Sequence, residues 1–156
     1  MNTVNCSCGC QKPCGCQFNP CAVTCGFPDA KEYGYVYNTT AETVAAGSAV
    51  TFASNGALSG NINHTVGTAE IVVTATGVYL VEFYIDCAAE NTFTLYQNGA
   101  AVAGSTYTGT AENSGKIIVT AQKGDVFTLV DTGAAEVTFD TGGNAVNAAL
   151  IIQKVF

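Results

Sequence analysis

Eight cysteines are the side chains of this sequence with the widest choice of chemistry, and seven of them lie within the first 25 residues. Thiols can hold a metal ion, close disulfides within one chain, or cross-link separate chains. The seven follow the spacing C-x-C-x-C-x3-C-x-C-x4-C-x3-C, and the eighth, Cys87, stands alone. The clustered residues are Cys6, Cys8, Cys10, Cys14, Cys16, Cys21 and Cys25.

The spacing of these cysteines favours cross-links between subunits over the two alternatives. Zinc modules usually place paired cysteines roughly two to four residues apart, with a longer insertion between the pairs. The C-x-C steps instead resemble the spacing of metal-thiolate clusters, or of thiols that face different partners. A framework closed within the segment leaves one of seven thiols over. Metal clustering and internal disulfides stay open as the weaker hypotheses.

The remaining reactive residues predict no enzyme and no cofactor. His64 is the single histidine and lies in a turn-like stretch, so we expect a solvated side chain and not a member of a catalytic triad. Glu82 and Asp86 alternate within an apolar strand, which indicates a solvated edge more than a glycosidase pair. Asp125 follows Lys-Gly and is first a turn residue, with calcium binding as the weaker alternative. No nucleotide-binding fingerprint occurs.

A second set of residues bears on carbohydrate. Asn5, Asn38 and Asn63 begin Asn-x-Ser/Thr triplets, which carry little weight without a secretory route. Tyr96 and Tyr107 are candidates for stacking on sugars if they are exposed, although packing in a core or trimer explains them better. A carbohydrate- or receptor-binding module is therefore the main rival to a purely structural protein.

The composition excludes several classes of partner. Charged residues make up 11% of the chain, against about 25% in an average protein. The formal net charge is -7 and there is no arginine, which argues against nucleic acid and against anionic membrane surfaces. The sequence contains no run of about 18 apolar residues, so it predicts no membrane span. A surface this poor in charge suits a protein covered by copies of itself.

The cysteines and the N-terminus point to different compartments. Clustered cysteines favour oxidising surroundings. The opening MNTVNCSCGCQKPCGC lacks the apolar stretch of a signal peptide, so we expect synthesis in the cytosol.

The chain divides near Phe27-Pro28-Asp29 into two parts. Residues 1–30, the connector, are rich in Cys, Gly, Pro and Asn and show no periodicity. Residues 31–156, the head, show strand signals with Gly-rich turns and no helical period, which predicts an all-β sandwich or barrel. Asn55-Gly56 and Asn98-Gly99 are predicted turns. The predicted strands are 32–39, 49–54, 70–75, 78–86, 92–97, 102–107, 116–121, 125–131, 136–140 and 146–156.

Several of these strands are apolar on both faces, most clearly VYLVEFYI (78–85) and ALIIQKVF (149–156). One face of a strand in an antiparallel sandwich normally meets water. The second face must therefore be covered by an extra layer of the same chain or by another subunit. The size of the domain favours a subunit interface.

Four stretches of the head resemble a known family in their order and spacing. They are TATGVYLVEFYI (74–85), NTFTLYQNGAAVAGSTY (91–107), GKIIVTAQKGDVFTLVD (115–131) and NAALIIQKVF (147–156). Together they resemble the C-terminal domain of the BclA-type collagen-like exosporium glycoproteins, within the tumour necrosis factor and complement-globular-head superfamily. The resemblance covers residues 32–156 and implies a ten-stranded antiparallel jelly roll that forms a tight homotrimer. The collagen stalk of that family is absent here, and the connector stands in its place.

The resemblance implies a role for the cysteines in assembly. It implies a spore-surface protein of the exosporium or an appendage, made in the mother-cell cytosol and oxidised when that cell lyses. We expect a structural subunit that trimerises and then polymerises head to tail through its connector into a disulfide-stabilised fibre, with Cys87 as the acceptor candidate on the head. Other spore-surface proteins are further candidate partners. The alternatives are a sugar- or receptor-binding trimer docked to the exosporium by the connector, and a metal-thiolate store.

Overall fold

The computed structural model describes residues 32–139 and 145–156, and every regular element in this part of the chain is a β-strand. The strands are β1 (Tyr33–Asn38), β2 (Thr43–Val44), β3 (Ser54–Ser59), β4 (Ile62–His64), β5 (Ile71–Val73), β6 (Gly77–Asp86), β7 (Asn91–Gln97), β8 (Ala100–Gly109), β9 (Glu112–Ala121), β10 (Val126–Asp131), β11 (Val137–Thr138) and β12 (Ala148–Lys154).

Ten of these strands form a sandwich of two five-stranded sheets. The first sheet has the order β3-β1-β12-β6-β9 and the second has the order β4-β5-β10-β7-β8, while β2 pairs with β11. The pairings are antiparallel throughout. Strands far apart in sequence lie side by side, because the C-terminal β12 fits between β1 and β6. The prediction of an antiparallel jelly roll of about ten strands is confirmed.

The core lies between the two sheets and follows the period-two alternation of the strands. In β6 every second residue from Tyr79 to Ile85 is buried, and the residues between them are partly exposed. The opposite sheet contributes the alternate residues of β7 and β10. Side chains of the core with no exposed surface include Phe52, Val73, Tyr79, Val81, Ile85, Phe93, Leu95, Phe127, Leu129, Phe139 and Leu150.

One predicted strand and one predicted turn are wrong. Residues 49–54 form only isolated bridges, at Ala49 and Phe52, and the strand begins at Ser54. Asn55-Gly56 lies inside β3, because Gly56 sits against the ring of Tyr35, where any larger side chain would collide. The chain turns instead at Gly60, whose φ of 69° favours glycine.

The other boundaries differ by small amounts. Asn98-Gly99 forms the predicted hairpin turn, with φ of 53° and 78°, as expected for such a dipeptide. The predicted strand 102–107 is the longer β8. Of the predicted strand 136–140, Val137–Thr138 forms β11, and Asp140 lies outside the described residues. The short strands β2 and β4 had no clear signal in the sequence.

The two ends of the head carry different parts of the chain. Glu32, the first described residue, accepts a hydrogen bond from the backbone of Lys154, and Phe156 accepts one from Val78 at the start of β6. The connector and the C-terminus are therefore attached at the same end. Strand β6 then runs its ten residues, about 33 Å, to the far end, where Cys87 follows it.

Candidate functional site

The outward face of the first sheet is a candidate for a binding surface. It consists of the side chains that alternate with the core residues of β1, β12, β6 and β9, and we call it the assembly face. Ile118 is 69% exposed, Ile151 41% and Tyr33 37%, which is unusual for side chains of this size. The assembly face comprises Tyr33, Tyr35, Tyr37, Val78, Leu80, Glu82, Tyr84, Ser114, Lys116, Ile118, Thr120, Ala149, Ile151 and Gln153.

The register of the strands makes the apolar side chains of this face contiguous. Tyr35 is opposite Ile151 in β12, and Leu80 of β6 is opposite Ile118 in β9. Directly opposed side chains lie within contact distance of each other. The rings of Tyr35 and Tyr37 stack with centroids 5.2 Å apart. Burial, and secondly the neighbouring Tyr37, raises the pKa of Tyr35.

Charge on the assembly face is paired at its centre. The Lys116 ammonium lies 2.5 Å from a carboxylate oxygen of Glu82, which is opposite it in the next strand. Asp86 and Glu112 are opposite each other at the end near Cys87, and the Tyr84 hydroxyl donates to Glu112 over 3.3 Å. The central part of the face therefore presents apolar side chains around an ion pair whose charges cancel.

The apolar surface continues past the end of β12 to the C-terminus. Val155 is 39% exposed and Phe156 is 86% exposed. Among residues 32–139 and 145–156, no further layer covers the assembly face. The sequence had left an internal layer or a subunit interface open, and the described part of the chain supplies no internal layer.

Cys87 is buried at the far end of the head. Only 1% of its surface is exposed. The Asn91 amide donates to its sulfur over 3.1 Å, and the thiol itself lies 3.4 Å from the carbonyl oxygens of Ala89 and Ala111. A bond to another chain would require these contacts to open. The seven cysteines of the connector, and Asn5, lie outside the described residues.

The candidate catalytic residues do not come together. His64 lies in β4 and not in a turn, with Nδ1 2.5 Å from the Asn55 side-chain oxygen and Nε2 3.1 Å from the Thr68 carbonyl. Neither partner completes a triad. Glu82 lies on the assembly face, where it is paired with Lys116, and Asp86 lies beyond the face at the end of β6, opposite Glu112.

Asp125 is engaged by its own surroundings. Its carboxylate accepts hydrogen bonds from the side chains of Gln97 and Asn98 and from the backbone of Gln122. These bonds, that from Asn98 first, lower the pKa of Asp125. The carboxylate thus closes the turn before β10. Within the described residues no group of three or more His, Cys, Asp or Glu side chains could hold a metal ion.

The carbohydrate candidates have separate locations. Tyr107 packs edge-on against Phe83, with centroids 5.6 Å apart, and its hydroxyl donates to the Lys116 carbonyl, so its role is structural. Tyr96 is half-buried in β7. Asn38 is 2% exposed and bonded to Thr51 and Ala53, which excludes a glycan there. Asn63 is exposed.

A buried polar group at the connector end escaped the sequence analysis. The Glu32 carboxylate is paired with Lys154 over 3.2 Å, and the Tyr79 hydroxyl lies 3.4 Å from it and 2.7 Å from the Ala75 carbonyl. Burial, followed by the charge of Glu32, raises the pKa of Tyr79 to about 12. A tyrosine that alternates with core residues could have signalled the need for such a partner.

Asp131 is the second group that was missed. It has no exposed surface, one carboxylate oxygen accepts the Gly133 amide over 2.8 Å, and the other has no partner in the described structure. Burial raises its pKa. The alternation Phe127, Leu129, Asp131 places it on the core face of β10, and this signal was present in the sequence.

The described residues contain no helix that is long and apolar enough to cross a membrane. No curated protein sequence matches the chain. A family model described as the BclA C-terminal domain matches residues 34–156.

Solved structures share the fold at low sequence identity. The globular domain of zebrafish complement 1qA protein has a TM-score of 0.63 at 14% identity, covering 81% of this chain and 98% of its own. Eiger TNF from S. frugiperda has a TM-score of 0.61 at 12% identity, covering 81% and 94%. Murine APRIL has a TM-score of 0.55 at 12% identity, covering 80% and 99%. At these identities the likeness establishes the jelly-roll fold.

Proposed function

The chain belongs to the BclA C-terminal domain family, and we propose that it is a non-enzymatic structural subunit of the endospore surface. Its head trimerises through the assembly face. The cysteines of its connector then link trimers by disulfides into a fibre or appendage of the exosporium. The subunit is made in the mother-cell cytosol, and its thiols oxidise after that cell lyses.

The observation that carries trimerisation is the exposed apolar sheet face around Ile118 and Ile151. Covering a large aliphatic side chain contributes about 1.5–3 kcal/mol. In a trimer, this set of side chains would be buried in each of the three copies, together with the stacked rings of Tyr35 and Tyr37. An exposed apolar area of this kind marks an interaction site more often than a free surface.

The opposite placement of the connector and Cys87 supports a head-to-tail arrangement. The connector leaves at Glu32, and Cys87 lies beyond the far end of β6. Head-to-tail contacts that do not close into a ring generate filaments. Three copies with seven connector cysteines each bring 21 thiols together, and thiols held in one assembly react at high effective concentration. Because 1% of the surface of Cys87 is exposed, a disulfide to this thiol forms only after the contacts that cover it have opened.

Electrophoresis with and without a reductant tests the assembly. The purified chain, after oxidation and heating in detergent, should migrate as a ladder of high-mass species that collapses to one band in dithiothreitol. Electron microscopy of the same sample should show beads in a row. A single band in both lanes, or isolated trimers that never elongate, would contradict the polymer.

The matched control replaces the seven connector cysteines by serine and leaves Cys87 in place. This variant should form the trimer but no ladder. Stoichiometric zinc in the wild-type protein purified under reducing conditions, lost in the serine variant, would favour the metal-thiolate alternative.

A further inference from the structure

The His64 side chain joins the edge strands of the two sheets. His64 lies in β4, which ends the second sheet, and Asn55 lies in β3, which ends the first. The Nδ1 atom of His64 is 2.5 Å from the Asn55 side-chain oxygen, and the Asn55 amide nitrogen donates to the His64 carbonyl over 3.1 Å. The second bond fixes which way the Asn55 amide points, so Nδ1 faces an acceptor.

The other ring nitrogen of His64 also faces an acceptor, on a neighbouring turn. Nε2 is 3.1 Å from the carbonyl oxygen of Thr68. The turn from Thr65 to Thr68 is in turn fastened to the core residue Phe52. The Phe52 amide donates to the Thr68 carbonyl over 3.0 Å, and the Gly67 amide donates to the Phe52 carbonyl over 2.8 Å. The ring of His64 therefore spans the distance from β3 to this turn.

A neutral imidazole cannot make both of these hydrogen bonds. It has one N–H donor, and its other nitrogen can only accept. The atoms that face the ring, the side-chain oxygen of Asn55 and the carbonyl oxygen of Thr68, are both acceptors. Two bonds therefore require a ring that carries two protons. Histidine is the side chain whose charge ordinarily changes between about pH 5 and pH 8.

Few charged groups lie around the ring. Among the described residues that line the cavity beside β4, His64 and Glu70 can carry a charge, and the remaining side chains cannot. The sequence from Thr43 to Ala69 contains no Asp, Glu, Lys or Arg. Glu32 approaches the far end of this cavity at the backbone of Gly60, but its carboxylate is paired with Lys154. No lysine thus lines the cavity to oppose protonation of the ring.

We propose that His64 is a pH-sensitive latch on the turn from Thr65 to Thr68. While the ring carries two protons, it bonds to both Asn55 and Thr68, and the turn is closed. When the ring releases one proton to solvent, the remaining proton stays on Nδ1, where the contact is shorter and Asn55 is itself held by the His64 carbonyl. The bond to Thr68 is then lost. The side of the sandwich between β3 and β4 is therefore held more tightly in acid than at neutral pH.

Hydrogen exchange of the reduced protein at about pH 5 and about pH 8 tests the latch. In the wild type, the protection factors of the Phe52, Gly67 and Thr68 amides should fall about tenfold, which is the effect of losing one hydrogen bond from a charged donor. Protection factors correct for the intrinsic pH dependence of exchange. His64→Gln has no charge to lose, so its protection factors should change little, and all other titrating groups are common to both proteins. Equal changes in the wild type and His64→Gln would overturn the proposal.

The protonation of the ring nitrogens gives a second readout that needs no variant. Long-range proton–nitrogen spectra of the wild type should show protons on both ring nitrogens of His64 at the lower pH and on Nδ1 alone at the higher pH. A proton on Nε2 alone at the higher pH would overturn the proposal, because the bond to Thr68 would then survive. A singly protonated ring at the lower pH would overturn it as well. Since the thiols stay reduced, neither result depends on the proposed disulfide polymer.

Discussion

Lys154 and Glu32 join the last strand of the head to the residue at which the connector enters. The Lys154 ammonium lies 3.2 Å from the Glu32 carboxylate, and the Lys154 amide donates to the Glu32 carbonyl over 2.9 Å. The glutamate side chain is 7% exposed and the lysine side chain 24%. The two ends of the described chain are thus held together by a backbone bond and by a largely buried ion pair.

Removal of the lysine should destabilise the head. Lys154→Met leaves the Glu32 carboxylate buried without its cation, at a cost of about 3 kcal/mol in the free energy of unfolding. Urea denaturation of the reduced protein measures the change. Lys123→Met, at an exposed lysine, should change stability by less than about 0.5 kcal/mol. Adding Glu32→Gln to Lys154→Met should recover part of the loss, and no recovery would argue against the ion pair as the cause.

A charge at the centre of the assembly face should dissociate the trimer. Ile118→Asp places a carboxylate where the proposed interface is apolar, and an unpaired buried charge is strongly unfavourable. Sedimentation of the reduced protein should show monomers with unchanged circular dichroism. Val66→Asp alters a similarly exposed side chain outside the face and should stay trimeric. A trimer in both variants would place the interface elsewhere.

Asp131 should make the head less stable as the pH rises. Burial raises its folded-state pKa above the unfolded value of about 3.9. Its contribution is therefore fully present below pH of about 3.9 and is lost as the pH rises through the folded-state pKa. The loss amounts to about 1.4 kcal/mol for each unit of difference between the two pKa values.

The comparison with Asp131→Asn isolates this group, since other titrations are common to both proteins. Between pH 4 and pH 8 the wild type should lose stability relative to the variant in urea denaturation. Parallel curves across this range would show that Asp131 does not titrate differently in the folded and unfolded states.

Cys87 should be protected while the connector thiols react. Iodoacetamide applied to the folded, reduced chain should modify cysteines in residues 6–25, with Cys87 modified only after unfolding, because 1% of its surface is exposed. Peptide mass spectrometry gives the site of each adduct. Prompt labelling of Cys87 would mean that its cover opens readily, and it would then become an accessible acceptor for a connector.

The strands and turns of the head could be predicted where the alternation of apolar residues and the positions of the turn dipeptides agreed. The β6 sequence alternates in the required way, and Asn98-Gly99 forms its turn. The turn predicted at Asn55-Gly56 was wrong, because Gly56 instead allows the close approach of the Tyr35 ring. That contact joins residues far apart in sequence, so no local pattern reveals it. The assembly face was predictable from the second apolar side of β6 and β12, whereas the pairing of Glu32 with Lys154 depends on the sheet order.

The position of β1 determines how the head carries a mechanical load. A pull on the connector reaches the fold at Glu32 and acts along β1, which is bonded to β12 on one side and to β3 on the other. All six residue pairs between β1 and β12 then resist sliding together, in shear, and do not open one after another. A fibre in which each connector is joined to the far end of the next head would thus load β1 in shear.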